Sequence, residues 1–417
     1  MKLSPEFNKY FFNTNWMFLD HLIRLISGVF VGAYVARHLG VNSFGLFSYV
    51  LAFVLIGENF TRFGAEAIVV RDLRKKPQDL DKIMSSAFIA RTTVGCVVFL
   101  LINTFLSFSS SSLETTGVWI FSFIFLFQGF EVIDYKYQSS VDAKVPSLMK
   151  SANTFFFASL KVYGIYQGFE VTSFFLIFMI EKVFLYLWFA TLFKLSWLKM
   201  FDRSIFLKLI KDCWPLAISG IAIALYMRVD QVMVRHMLGT QDLGVYSVAV
   251  KLTEIWFFIP LIITKSVFPK FVDGQISKRN YLILPLIPCV SICLFILFTG
   301  DILLDLLYGS AFYQAKTVLR FQILSLIIVS VGTSYSKIII SHNLQKYSLF
   351  VTVLGAFTNF ILNLLLIPKL GILGASYSTL ISFSVSAYLG FFFFSETRRI
   401  VSPINKVKNK SRSTYAT

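Results

Sequence analysis

Twelve apolar stretches, each near 20 residues, leave this 417-residue sequence little choice of fold. They run over about 14–36, 44–63, 83–106, 117–137, 146–165, 171–193, 210–234, 243–263, 281–299, 318–341, 349–367 and 372–395. A helix of about 20 apolar residues spans the roughly 30 Å of bilayer hydrocarbon. Inside that layer a helix satisfies its own backbone N–H and C=O groups, which a lipid-facing open sheet edge cannot do. The expectation is an all-α integral membrane protein with about twelve transmembrane helices. Composition agrees, since 15% of residues are charged, against about 25% in an ordinary soluble domain.

The net charge of +17 is confined to alternate connections. One series holds Arg71, Arg74, Lys75, Lys76 and Lys82, then Lys136, Lys144 and Lys150, then Lys194 to Lys211. It continues through Lys265 to Arg279 and Lys346 into the tail from Arg398. The other series has Arg37, Arg235, Lys316 and Lys369, and its loop at 107–117 has no Lys or Arg. By the positive-inside rule the basic loops and both termini are cytoplasmic. The same dispersal argues against a nucleic-acid partner. No small-x-small cleavage site follows the first apolar run, so that run is expected to stay as an anchor. Cys96, Cys213, Cys289 and Cys293 lie in or beside apolar runs and read as small buried hydrophobes. No Walker loop, GxSxG, HExxH or clustered metal-ligand set occurs, so neither an enzyme nor a cofactor or metal is expected.

A duplication organises the spans. The stretch from Arg228 to Pro269 is two apolar segments hinged at LGTQDLG, and VARHLGVNSFGLFSYVLAF, Val35 to Phe53, echoes it. Gly40 and Gly45 match Gly239 and Gly244, Ser48 matches Ser247, and Arg37-His38 match Arg235-His236 apart from one extra residue. YGIYQG (163–168) and LGILGA (370–375) form a second pair. The basic connection at 194–209 divides the chain into six-span halves, 1–199 and 210–395, followed by a basic tail, 396–417. Six is even, so both halves enter the membrane in the same direction, as parallel repeats about an axis along the membrane normal.

Charges inside the spans are the candidate functional groups. Each costs about 2.5–3.5 kcal/mol at mid-membrane unless it faces protein or a wet cavity. Arg24, Arg91, Arg228 and Arg320 lie deepest, and with Lys161 and Lys251 they are the candidate lining of a central cavity. Guanidinium keeps its charge when buried and presents forked donors to phosphoryl oxygens, so an anionic cargo fits. Glu58, Asp230 and Glu254 are candidates for coupling to an ion or proton, or else counter-ions to the arginines. The spacing predicts ion pairs Asp20–Arg24 and Lys251–Glu254. Glu181–Lys182 and Asp134–Lys136 are expected to snorkel at span ends. Pro260, Pro269, Pro285 and Pro288 permit bends in the eighth and ninth spans.

DQVMV…LGTQDLGVYSVAVKLTEIWFFIP…SVFP (230–269) resembles the seventh and eighth helices of Wzx-type O-antigen flippases. These form the polysaccharide-transporter branch of the superfamily that includes the MATE exporters and the lipid II flippases. Asn15-Trp16, ARHLGVNSFGLFSYVLAF (36–53), RFGAEAIVVRDL (62–73), LLYGSAFYQA (306–315) and PKLGILGASYSTLIS (368–382) extend the likeness over nearly the whole chain. The resemblance implies a MATE-like V of two six-helix lobes in a bacterial inner membrane. Its cargo would be an undecaprenyl-diphosphate-linked oligosaccharide moved from the cytoplasmic to the periplasmic leaflet. It also implies a cationic cavity, with Arg24, Arg91 and Arg228 the best candidates, and association with a polysaccharide polymerase and a chain-length regulator. Twelve spans rather than fourteen argue against the lipid II branch. The alternatives are an exporter of another lipid-linked glycan (capsule or exopolysaccharide), a MATE-type drug exporter, which would favour an acidic cavity, and a membrane polymerase, which would need a sizeable external loop.

Overall fold

The computed structural model describes residues 5–107, 112–342 and 344–401. The tail beyond 401 and part of the predicted 107–117 loop therefore lie outside the described residues. Those residues are helical with no strand among them. Eight helical stretches are long and apolar enough to cross a membrane, and the bent pair Leu113–Leu126 and Gln128–Ser139, 48° apart, makes a ninth.

One stretch counts twice. Helix α1 (Pro5–Arg62) is interrupted at Gly40, whose φ of 71° and ψ of 172° are not helical. Leu25 and Leu55 line the same cavity, whereas a straight helix would hold them about 45 Å apart. The two limbs of α1 therefore fold back on each other, and only glycine adopts that φ without strain. Two further rods are less apolar or shorter than these. One is α6 (Lys144–Tyr166), which carries Lys144, Lys150 and Lys161, and the other is α15 (Ile372–Ala387), which is short.

The remaining rods are α3 (Leu80–Ser107), α4 with α5 (Ser112–Ser122, Val132–Ser139), α7 (Val171–Ala190) and α8 (Arg203–Leu238). They continue with α9 and α10 (Thr240–Glu254, Phe258–Val272), α11 (Lys278–Leu307), α12 and α13 (Ala315–Gln322, Ser325–Ser341) and α14 (Gln345–Leu370). That makes twelve among the described residues. The short helix α2 (Ala65–Lys75) joins the second and third rods. α9 and α10 are separated by a 3-10 turn at Ile255–Phe257. Pro260 follows it, and having no N–H it cannot bond the carbonyl of Trp256. α11 runs through Pro285 and Pro288 without a break.

The repeat is written into the backbone. Gly40 and Gly239 both have positive φ and nearly extended ψ, and so begin their second helices in the same way. Gly168 and Gly371, the other matched pair, also have positive φ. The matched Gly45 and Gly244 make reciprocal contacts. A Cβ on Gly45 would strike the carbonyl of Thr240, and one on Gly244 the carbonyl of Val41. The same step along the chain separates Gly45 from Gly244 and Val41 from Thr240, so the contact is self-complementary, as a two-fold-related interface must be. Thr240 Oγ1 bonds Asn42 Oδ1, and the Tyr49 hydroxyl lies 3.0 Å from His236 Nε2 in the same seam. The two halves are thus held together, backbone on backbone, at the end carrying Gly40 and Gly239. Near the basic loops α2 and α8 meet through Arg71 and Asp212, 2.7 Å apart.

Candidate cavity between the halves

Between the halves lies a cavity of about 480 Å³, walled by both limbs of α1, by α6 and α7, and by α8 and α9. Four cations reach it: Arg24, Lys161, Arg228 and Lys251. The carboxylates on its wall are Glu181 and Glu254. Among the described lining residues, positive charge is in excess.

Each cation is held differently. Arg24 bonds Asp20 at 2.7 Å, the predicted pair, and its side chain stays 46% exposed. Ser151 also donates to Asp20, fixing that carboxylate behind the arginine. Lys161 on α6 meets Glu181 on α7 at 2.5 Å and lies 3.7 Å from the centre of the Phe178 ring. Arg228 on α8 meets Glu254 on α9 at 2.9 Å. Lys251 lies over the Phe44 ring at 4.6 Å and forms no ion pair among the described residues.

The expected Lys251–Glu254 pair is therefore corrected. Residues three apart on one helix are neighbours, but the longer reach of Arg228 from α8 captures the carboxylate first. Glu181 and Asp134 likewise ignore their sequence neighbours and bond Lys161 and Lys150, the latter at 2.8 Å. Lys182 turns instead toward Glu58.

Two candidates lie away from this cavity. Arg91 is 0% exposed, bonded to Glu131 at 2.6 Å and to the Tyr135 hydroxyl, within the packing of α3 against the Gln128–Glu131 turn and α5. Depth along a span set its expected place, but the face of the helix set its real one. Arg320 is 56% exposed and bonds Asp301 at 2.6 Å. α12 is a short amphipathic helix, and Lys316 and Arg320, one turn apart, share its charged stripe.

The acidic candidates also separate. Glu254 lines the cavity. Glu58 is buried with Arg62 at 3.6 Å and Lys182 at 3.7 Å. Asp230 is buried between α8 and α9, accepting the Tyr246 hydroxyl at 2.5 Å and the Gln231 N–H at 2.7 Å. Its neighbour Gln231, not Asp230, faces the cavity.

Sequence reasoning missed Glu181 and the aromatic wall of Phe44, Phe47, Phe178 and Tyr308. It matched Ser48 with Ser247 only as repeat equivalents. Both line the cavity, both are buried, and neither hydroxyl has a hydrogen-bond partner among the described residues. A buried hydroxyl without a partner is costly, and this symmetric pair leaves two such groups on the cavity wall.

A family model described as polysaccharide biosynthesis protein matches residues 12–275, more than half of the chain. The chain belongs to that polysaccharide biosynthesis family. A relative in Haloferax volcanii, described as the probable flippase AglR, is 23% identical over 196 residues. That match covers 44% of this chain and 40% of the relative, so less than half of the relative's length is spanned. Among solved structures the fold is similar to the lipid II flippase MurJ in an inward closed conformation. The TM-score is 0.73 at 15% identity, over 92% of this chain and 87% of that one. A multidrug MATE transporter of the MOP superfamily in its inward-facing conformation gives 0.70 at 16% identity, over 92% and 96% of the two chains. At such identities the likeness carries the fold, and this member of the polysaccharide biosynthesis family has the MATE-like one.

Proposed function

We propose that the protein is a flippase for a lipid-linked oligosaccharide, an O-antigen-type repeat unit carried on undecaprenyl diphosphate. The cargo moves from the cytoplasmic to the periplasmic leaflet of the inner membrane by alternating access of the two lobes. The observation that carries this reading is the excess of cations on the wall of the central cavity, above all Lys251, which forms no ion pair among the described residues. A diphosphate brings negative charge, and Arg24 and Arg228 offer it forked donors. Ser48, Ser247 and Gln231 offer hydroxyl and amide groups to sugar hydroxyls, while the polyprenyl chain stays among lipid tails.

A cationic drug would meet a wall where cations outnumber carboxylates, which disfavours the exporter chemistry of the multidrug relatives in fold. The membrane potential favours moving the anionic head outward, by about 2.3 kcal/mol per charge per 100 mV. Asp230 and Glu254 are the acidic groups best situated to couple transport to a proton or ion, and the polymerase and chain-length regulator remain the expected partners.

The test is a cell lacking the chromosomal copy. Single lipid-linked units are expected to accumulate on the cytoplasmic face. Arg228→Ala and Lys251→Ala are expected to restore transport at least tenfold less well than the wild type at equal membrane abundance. Units that reach the periplasm but are never joined would replace this reading with that of a polymerase. Undiminished transport in both variants would remove the cationic cavity from the mechanism.

A further inference from the structure

A second cavity of about 380 Å³ lies inside the C-terminal half and shares no lining residue with the first. It is lined by the middle of α8 and by the parts of α10, α13, α14 and α15 nearest the basic loops. Its surface is mainly apolar, built from residues such as Ile223, Met227, Leu261 and Phe383. Nothing in the transport reading uses it.

Two features set it apart from a packing defect. Lys265 on α10 and Lys337 on α13 both line it. Neither forms an ion pair with a carboxylate among the described residues. Lys337 Nζ instead rests 5.8 Å from the centre of the Phe268 ring. Thr264, 2% exposed, also lines the cavity, and its hydroxyl has no hydrogen-bond partner among the described residues. Ser336 and Ser348, whose oxygens are 3.5 Å apart, add a further hydroxyl free to donate. The site therefore combines unpaired ammonium groups, hydroxyl donors and an apolar pocket.

We propose that this cavity binds one anionic glycerophospholipid, its phosphate on Lys265 and Lys337 and part of an acyl chain among the apolar side chains. The hydroxyls select this occupant over an isoprenoid phosphate. Ester-linked chains carry carbonyl acceptors where Thr264 and Ser336 can donate, whereas a polyprenyl chain has none. A zwitterionic lipid brings its own cation toward two lysines and loses the charge complementarity.

The experiment uses the full chain in detergent, with bound lipid counted by native mass spectrometry. Phosphatidylglycerol, phosphatidylcholine and farnesyl phosphate are offered separately. Wild type is expected to take phosphatidylglycerol at least fivefold better than either of the others. In Lys265→Gln/Lys337→Gln that preference falls to near one, and the single variants read the same loss in part should the pair fail to fold. Equal uptake of the two phospholipids overturns the proposal, as does an undiminished preference in folded variants. Preferential binding of farnesyl phosphate that is lost in Lys265→Gln/Lys337→Gln also overturns it and makes the cavity an isoprenoid site. Only uptake that the Lys265 and Lys337 variants lose is assigned to this cavity, so isoprenoid phosphate held in the central cavity does not enter the comparison, and failure here leaves the flippase reading standing, and the reverse.

Discussion

Gly244→Ala tests how the halves are held together. Its Cβ would lie 3.0 Å from the carbonyl carbon of Val41, with the carbonyl oxygen nearer still. Carbon atoms pack best at about 3.5–4.0 Å, so α1 and α9 must separate by roughly 0.5–1 Å or more at this point. Overpacking of this kind costs about 1–3 kcal/mol. The cost falls only on the state in which the Gly40 and Gly239 end is closed. Alanine's better helix propensity acts on both states and cancels. A differential of 1–3 kcal/mol shifts a two-state population by about 5- to 150-fold, here toward opening at that end. The assay is thiol labelling of Ser48→Cys, a cavity position, with Cys96, Cys213, Cys289 and Cys293 replaced. An impermeant maleimide is supplied from the side of the Gly40 and Gly239 loops. Gly244→Ala is expected to raise the labelling rate about tenfold, and Gly45→Ala, by the pseudo-symmetry, to do the same. An unchanged rate in folded protein would refute the view that this seam is the closed gate.

Arg91→Leu is expected to cost about 3 kcal/mol, because it removes the fully buried guanidinium bonded to Glu131, whose side chain is only 20% exposed. Thermal unfolding in detergent reads the loss, and Arg91→Leu/Glu131→Leu should recover much of it. Arg320→Ala removes an exposed pair with Asp301 and should change stability by less than about 0.5 kcal/mol, with transport unaltered. Asp202 caps α8, accepting from the N–H groups of Ser204 and Ile205, and bonds from Ser204 and Ile205 hold its carboxyl below the usual range. A depressed carboxylate pKa contributes stability above the unfolded value, near 3.9, and loses it as pH falls through the folded one. Hydrogen exchange at Ser204 and Ile205 should therefore be insensitive to pH-dependent loss of the cap between pH 5 and 8 and lose protection only below about pH 4.

The spans and the repeat were legible because both are backbone matters. Hydropathy reports length directly, and a reversal that demands positive φ demands glycine, so Gly40 and Gly239 appear in the letters. The cavity was legible in part. Arg24, Lys161, Arg228 and Lys251 reach it, but Arg91 and Arg320, of the same chemistry, point elsewhere. Depth follows from position along a helix, while the face depends on which helices pack beside it. The same limit explains the pairs. Asp20–Arg24 lies within one helix and was readable, whereas Arg228–Glu254 and Lys161–Glu181 bridge helices. The bend at Ile255–Phe257 follows from Pro260, yet Pro285 and Pro288 leave α11 continuous, so proline alone did not locate the break.

Arg228 and Lys161 donate to Glu254 and Glu181, so on the proposed reading these two acids are placeholders for an anionic head. Two of the four cavity cations are thereby neutralised from within the protein, which lowers the cost of holding them at membrane depth. A visitor must then outcompete two tethered anions. A monovalent solute gains little by that exchange, while a multiply charged head can engage Lys251 and Arg24 first and displace the placeholders afterwards.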